Sequence, residues 1–69
     1  MEQISVFLNG EPSVVPSGAT VAQFLDRLGL PRKGIAVERN REIVPKSRFD
    51  TTILHAGDQL EVVQFVGGG

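Results

Sequence analysis

Residues 4–15 read ISVFLNGEPSVV, and their pattern commits this part of the chain to a sheet. Ile4, Val6 and Leu8 alternate with Ser5 and Phe7, the two-residue period of a strand with one face on a core. Asn9-Gly10 follows, the strongest short hairpin signal, because a type I′ turn needs positive φ at both central residues. Pro12 has no N–H to give to a ladder, so the returning strand belongs at a sheet edge.

Outward from the hairpin, SGATVAQFLDRLGLP at residues 17–31 carries a complete set of helix signals. Thr20 is the expected N-cap, and Gln23 three residues on completes a capping box. Val21, Phe24, Leu25 and Leu28 fall on one apolar face. Gly29 suits the left-handed position after the helix, and Pro31 prevents its continuation. KGIAVERNREIVPKS, residues 33–47, predicts two short strands around a turn at Arg39, Asn40 and Arg41, with Pro45 ending the second. An Asn-Gly pair would be the plainer turn; Arg41 stands where that glycine is expected. In RFDTTILHAGDQ, residues 48–59, Phe49, Ile53 and Leu54 are expected to plug the core from a loop or a single helical turn. His55 to Asp58 form a turn, with Gly57 at positive φ and His55 an exposed turn residue rather than a ligand or base. QLEVVQFV, residues 59–66, is the last strand.

The order is strand, strand, helix, strand, short strand, final strand. One helix covers one face of a sheet this size, which gives an α+β roll with the other face open. The order alone fits several small folds, among them a ferredoxin-like one lacking its second helix. If Leu60 and Val62 face the helix, Val63 and Phe65 face outward, and Phe7 is likewise out of phase with Ile4, Val6 and Leu8. Were the first and last strands neighbours, Phe7, Val63 and Phe65 would make an exposed apolar patch, the kind of surface that marks an interaction site. A loop folded over them is the alternative.

Composition narrows the chemistry. Sixty-nine residues with 41% apolar and 22% charged side chains make one ordinary globular domain, near the lower size limit for a self-sustaining core. The chain has no Cys, Tyr or Trp and one His, and no carboxylate or hydroxyl pair sits on a common element beside a base. An independent enzyme is therefore disfavoured, and no thiolate metal site or disulfide is available. No apolar run approaches the roughly 20 residues of a membrane helix. The N-terminus lacks the basic start and apolar stretch of a signal peptide, so a soluble, cytoplasmic protein is expected. The net charge of −1 is unevenly spread. Between residues 31 and 48, Arg32, Lys33, Arg39, Arg41, Lys46 and Arg48 stand against Glu38 and Glu42 alone. This is either ordinary solvated surface or a strip that steers docking to an acidic partner. The acidic balance and the lack of aromatics in the strip argue against nucleic acid.

The sequence finishes on Gly67, Gly68 and Gly69. Glycine loses the most freedom on ordering and buries no side chain, so these residues cannot be there to hold the fold. They are a frayed end, or a flexible lead that carries the terminal carboxylate as a working group. Three extended residues span about 10 Å, enough to reach into a partner's buried site, and the absence of a Cβ lets them thread a narrow channel.

Taken together, VFLNGE, the capped helix, EIVP and HAGDQLEVVQFVGGG resemble the thiamine-biosynthesis sulfur carriers of the ThiS family, from Ile4 to Gly69. The hairpin and helix are generic; EIVP together with GDQLEVVQFVGG is far more specific. The resemblance implies a ubiquitin-like β-grasp fold at residues 1–66, a mixed sheet of four to five strands with one main helix, followed by a tail at 67–69. It implies a carrier rather than an enzyme, with no bound cofactor. The Gly69 carboxylate would be adenylated with ATP by an activating enzyme of the ubiquitin-activating type. It would then be converted by a sulfur donor protein to a thiocarboxylate and give its sulfur to thiazole synthase. Gly67 and Gly68 would enter the partners' sites, while Phe7, Val63, Phe65 and Val66 dock the body, with the basic strip as a second contact. A terminal Gly-Gly is shared with the molybdopterin-synthase small subunit and with ubiquitin-type modifiers, so these remain alternatives.

Overall fold

The computed structural model describes residues 2–65. β1 (Gln3–Leu8) and β2 (Glu11–Pro16) form the first hairpin, paired from Gln3 with Pro16 to Leu8 with Glu11. Its turn has φ of 49° at Asn9 and 86° at Gly10, the two positive values a type I′ turn requires. α1 (Val21–Arg27) follows, with the predicted capping box formed: the Thr20 hydroxyl accepts from the Gln23 N–H, and the Gln23 side chain accepts from the Thr20 N–H. Gly29 takes φ of 73° just beyond the helix. β3 (Ile35–Arg39) and β4 (Glu42–Val44) form a second hairpin, a 3₁₀ turn spans Lys46–Arg48, and β5 (Gln59–Gln64) closes the chain of elements.

The sheet order is β2-β1-β5-β3-β4. β5 therefore lies between the two hairpins, parallel to β1 and antiparallel to β3. The chain passes from the first hairpin to the second through α1, which lies across one face of the sheet and joins β2 to β3. β2 is an edge strand, as Pro12 demands. The core is the layer between sheet and helix: Val6, Val15, Val37 and Leu60 from the strands meet Val21, Phe24 and Leu25 from the helix, with Phe49 and Leu54 closing it from the connection. Burying side chains of this size stabilises by about 1.5–3 kcal/mol each before the entropy of ordering is counted.

Two expectations are corrected. Ile53 does not enter the core; it is 48% exposed, because its backbone bridges to Thr20 and turns the side chain outward while Phe49 and Leu54 fill the space. Leu28, fourth in the helical apolar stripe, sits at the C-cap and is exposed at the rim, since α1 ends at Arg27 before the stripe completes.

Candidate functional site

Three things converge on β5: an open sheet face, a pair of asparagine clamps and a buried carboxylate. On the open face, Phe7, Val63 and Phe65 are all exposed, at 38%, 56% and 61%. β1 and β5 are neighbours, but their register keeps the three from forming one patch. Phe7 pairs with Gln59, so Val63 lies four residues further along β5, about 13 Å at the usual strand rise. Glu61 occupies the same face between them, and Gln59 stands beside Phe7. Val63 instead pairs with Ala36 of β3, and the Phe65 N–H donates to the Gly34 carbonyl at 2.8 Å. The apolar surface at the end of β5 is thus Val63, Phe65 and Ala36, with Phe7 standing apart. Val66, Gly67, Gly68 and Gly69, the other residues expected to act on partners, lie outside the described residues.

The basic strip is divided. Arg32 is held by Asp50 at 3.1 Å and Asp26 at 3.6 Å, and Arg39 by Asp58 at 3.2 Å. Among the described residues, Lys33, Arg41, Lys46 and Arg48 make no ion pair within 4 Å and remain exposed charges. Arg39 was expected as part of a docking strip; its side chain lies on the covered side of β3, in phase with Ile35 and Val37, and serves the frame.

Asp58 is the group the sequence reading missed. It lies at the foot of β5, 7% exposed, and its carboxylate accepts from the His55 N–H at 2.9 Å, the Asn40 Nδ2 at 3.1 Å and the Arg39 guanidinium at 3.2 Å. Burial alone would raise its pKa. The backbone donor of His55, the Asn40 amide and the Arg39 guanidinium outweigh burial and hold the carboxyl below its ordinary 3.8. His55 itself is an exposed turn residue whose backbone, not ring, does this work.

The clamps come from the two hairpin turns. Asn40 has φ of 52°, and its Oδ1 accepts from the Gln59 N–H at 2.9 Å while its own N–H donates to the Gln59 carbonyl at 2.7 Å. Asn9 acts on the other flank. Its N–H donates to the Leu60 carbonyl at 2.8 Å, its Oδ1 accepts from the Val62 N–H at 3.0 Å, and its Nδ2 donates to the Val62 carbonyl at 3.4 Å. Both asparagines were readable as turn residues; nothing in local sequence indicates that their amides reach a strand far along the chain. The result is a body that fixes its last strand from both sides and offers an apolar corner where that strand ends.

Among the described residues, no group of three or more His, Cys, Asp and Glu could hold a metal ion, and no helix is long and apolar enough to cross a membrane.

The description of the ThiS family matches residues 2–69. A thiazole synthase of Paramagnetospirillum magneticum is 42% identical over 66 residues; these make up 96% of this chain, which spans only 20% of that longer protein. The sulfur carrier protein ThiS of Bacillus subtilis is 42% identical over 50 residues, covering 72% of this chain and 76% of the relative. The crystal structure of a thiamine biosynthesis protein (ThiS) from Geobacter metallireducens superposes with a TM-score of 0.81 at 32% identity, covering 96% of this chain and 100% of that one.

Proposed function

The chain belongs to the ThiS family, and from that membership we infer that it is a sulfur carrier in thiamine biosynthesis. The observation that carries the reading is the extent of the match, which runs through residue 69 and so takes in Gly67, Gly68 and Gly69. In this scheme the Gly69 carboxylate is the working group. With a pKa near 3.5 it is ionised at neutral pH, and one of its oxygens attacks the α-phosphorus of ATP within an adenylating enzyme of the ubiquitin-activating type. Pyrophosphate leaves and a C-terminal acyl-adenylate forms. A sulfide equivalent from a sulfur donor protein then displaces AMP, leaving a thiocarboxylate. The carrier itself performs no turnover; ATP belongs to its partner.

Thiazole synthase is the proposed acceptor of the sulfur. Support comes from the Paramagnetospirillum magneticum thiazole synthase, one protein of that name that contains a stretch similar to nearly all of this chain. The folded body is the handle: Val63 and Phe65 at the end of β5 and Val66, next in the sequence, are the docking residues, with Phe7 as a separate contact. Gly67 and Gly68 are the residues that enter the partners' sites. The cytoplasm is the proposed compartment.

Mass spectrometry of the chain made in a cell with sulfur-transfer machinery tests the reading. A fraction is expected to be heavier by the sulfur-for-oxygen difference, with the change mapping to Gly69. Adding one residue beyond Gly69 should abolish the shift. Isopeptide adducts on lysines in place of the free thiocarboxylate would support a protein modifier instead, and no shift at all would remove both readings.

A further inference from the structure

The β1·β5 ladder stops early: its last paired residues are Leu8 and Leu60, because Asn9 takes φ of 49° and swings the chain into β2. Beyond that point β5 keeps β3 on one flank, paired as far as Ile35 with Gln64. The other flank would be bare but for Asn9, whose side chain makes both bonds to the Val62 peptide that a continuing strand would have made. A type I′ turn needs only positive φ here, which glycine supplies equally well. Asparagine suits this turn as well, but the turn makes no use of its amide, whose two bonds go to a residue 53 positions away. Val62 is also the last residue held from both sides before Val63 and Phe65, the exposed apolar pair from which the glycine tail follows.

We propose that Asn9 is a positioning residue for transfer chemistry at the C-terminus: by holding Val62 it fixes where the tail leaves the body and keeps Val63 and Phe65 on the open face. The inference rests on the sulfur-carrier reading above. Strand ends open at little cost, so a clamp of two hydrogen bonds decides how much of the population presents the tail in one geometry. Partner affinity scales with that fraction.

The test uses the full chain with the ATP-dependent adenylating enzyme that activates it, reading ATP–pyrophosphate exchange against carrier concentration. Asn9→Gly keeps the turn and removes the clamp; Asn9→Asp restores the acceptor for the Val62 N–H. Asn9→Gly should raise KM roughly three- to fivefold with kcat unchanged, the size expected for losing about 1 kcal/mol of net hydrogen bonding. Asn9→Asp should recover most of that loss. Circular dichroism should show both variants folded at the assay temperature, and amide exchange at Val62 should quicken in Asn9→Gly alone. An unchanged KM in Asn9→Gly overturns the inference. So does a KM rise that Asn9→Asp fails to reverse, or a Val62 amide that exchanges no faster. A wild-type chain that supports no exchange removes the sulfur-carrier reading and the inference with it, whereas a normal wild type beside an unaffected Asn9→Gly removes the inference alone.

Discussion

Arg39 reaches from β3 to Asp58 at the foot of β5, placing a guanidinium nitrogen 3.2 Å from a carboxylate that is almost wholly buried. The pair joins two neighbouring strands at the point where the last one begins.

The donors around Asp58, the His55 N–H first and then Asn40 and Arg39, give the fold an acid limit. Because the Asp58 carboxyl is held below 3.8 in the folded state, its contribution is fully present above that value and is lost as pH falls through the lowered one. Asp58→Asn should cost about 1–3 kcal/mol at pH 7, where the charge-assisted bonds are intact. The difference from wild type should shrink below pH 3.8. Denaturant melts at pH 7 and at progressively lower pH check the sign.

Arg41 holds φ of 71°, a left-handed conformation that costs a side-chain-bearing residue about 1 kcal/mol. Arg41→Gly should therefore stabilise the second hairpin by up to about 1 kcal/mol, visible as a higher thermal midpoint. A lower midpoint would mean that the arginine side chain makes up the backbone cost elsewhere.

Val63 is more than half exposed on the open face. Val63→Asp should leave stability within about 1 kcal/mol of wild type, since only strand propensity and a nearby Glu61 oppose it. Binding to the proposed partners, an adenylating enzyme and thiazole synthase, should fall at least tenfold in calorimetric titrations, the loss of about 1.4 kcal/mol. Unfolding of the variant would assign Val63 to the core and end the docking idea.

The Thr20 hydroxyl takes up the Gln23 N–H at the start of a helix only seven residues long, while the Val21 and Ala22 N–H groups donate to the Thr52 and Phe49 carbonyls. Thr20→Ala should cost about 1 kcal/mol, and Thr20→Ser should restore most of it. A chemical denaturation midpoint that does not move would show the helix to be fixed by Phe24 and Leu25 alone.

Local signals proved sufficient where one short stretch settles the geometry. Asn9-Gly10, the Thr20–Gln23 box, Gly29 and Pro12 each act within a few residues, and each predicted its turn, cap or edge. What remained hidden depends on register. The phase of β5 told which side Val63 faces, but only the pairing of Phe7 with Gln59 shows how far the two lie apart. Ile53 reads as apolar and hence as core; its bridge to Thr20 decides otherwise. Asp58, read as a turn carboxylate, is buried because Arg39 and Asn40 arrive from another hairpin, and no spacing along the chain announces that meeting.

The central place of β5 has a consequence for how the molecule is made. Among the described residues the last strand in chain order is the one that joins the two halves of the sheet, β2-β1 on one side and β3-β4 on the other. A nascent chain that has not yet delivered Gln59–Gln64 holds two hairpins with nothing between them and cannot close its core over Leu60. Such distant pairings form late in folding, after the long loop between them has been closed. Completion of the body thus waits on the segment that leads directly into the glycines, so a chain cut short before Gln59–Gln64 would lack the closed sheet together with Gly67, Gly68 and Gly69.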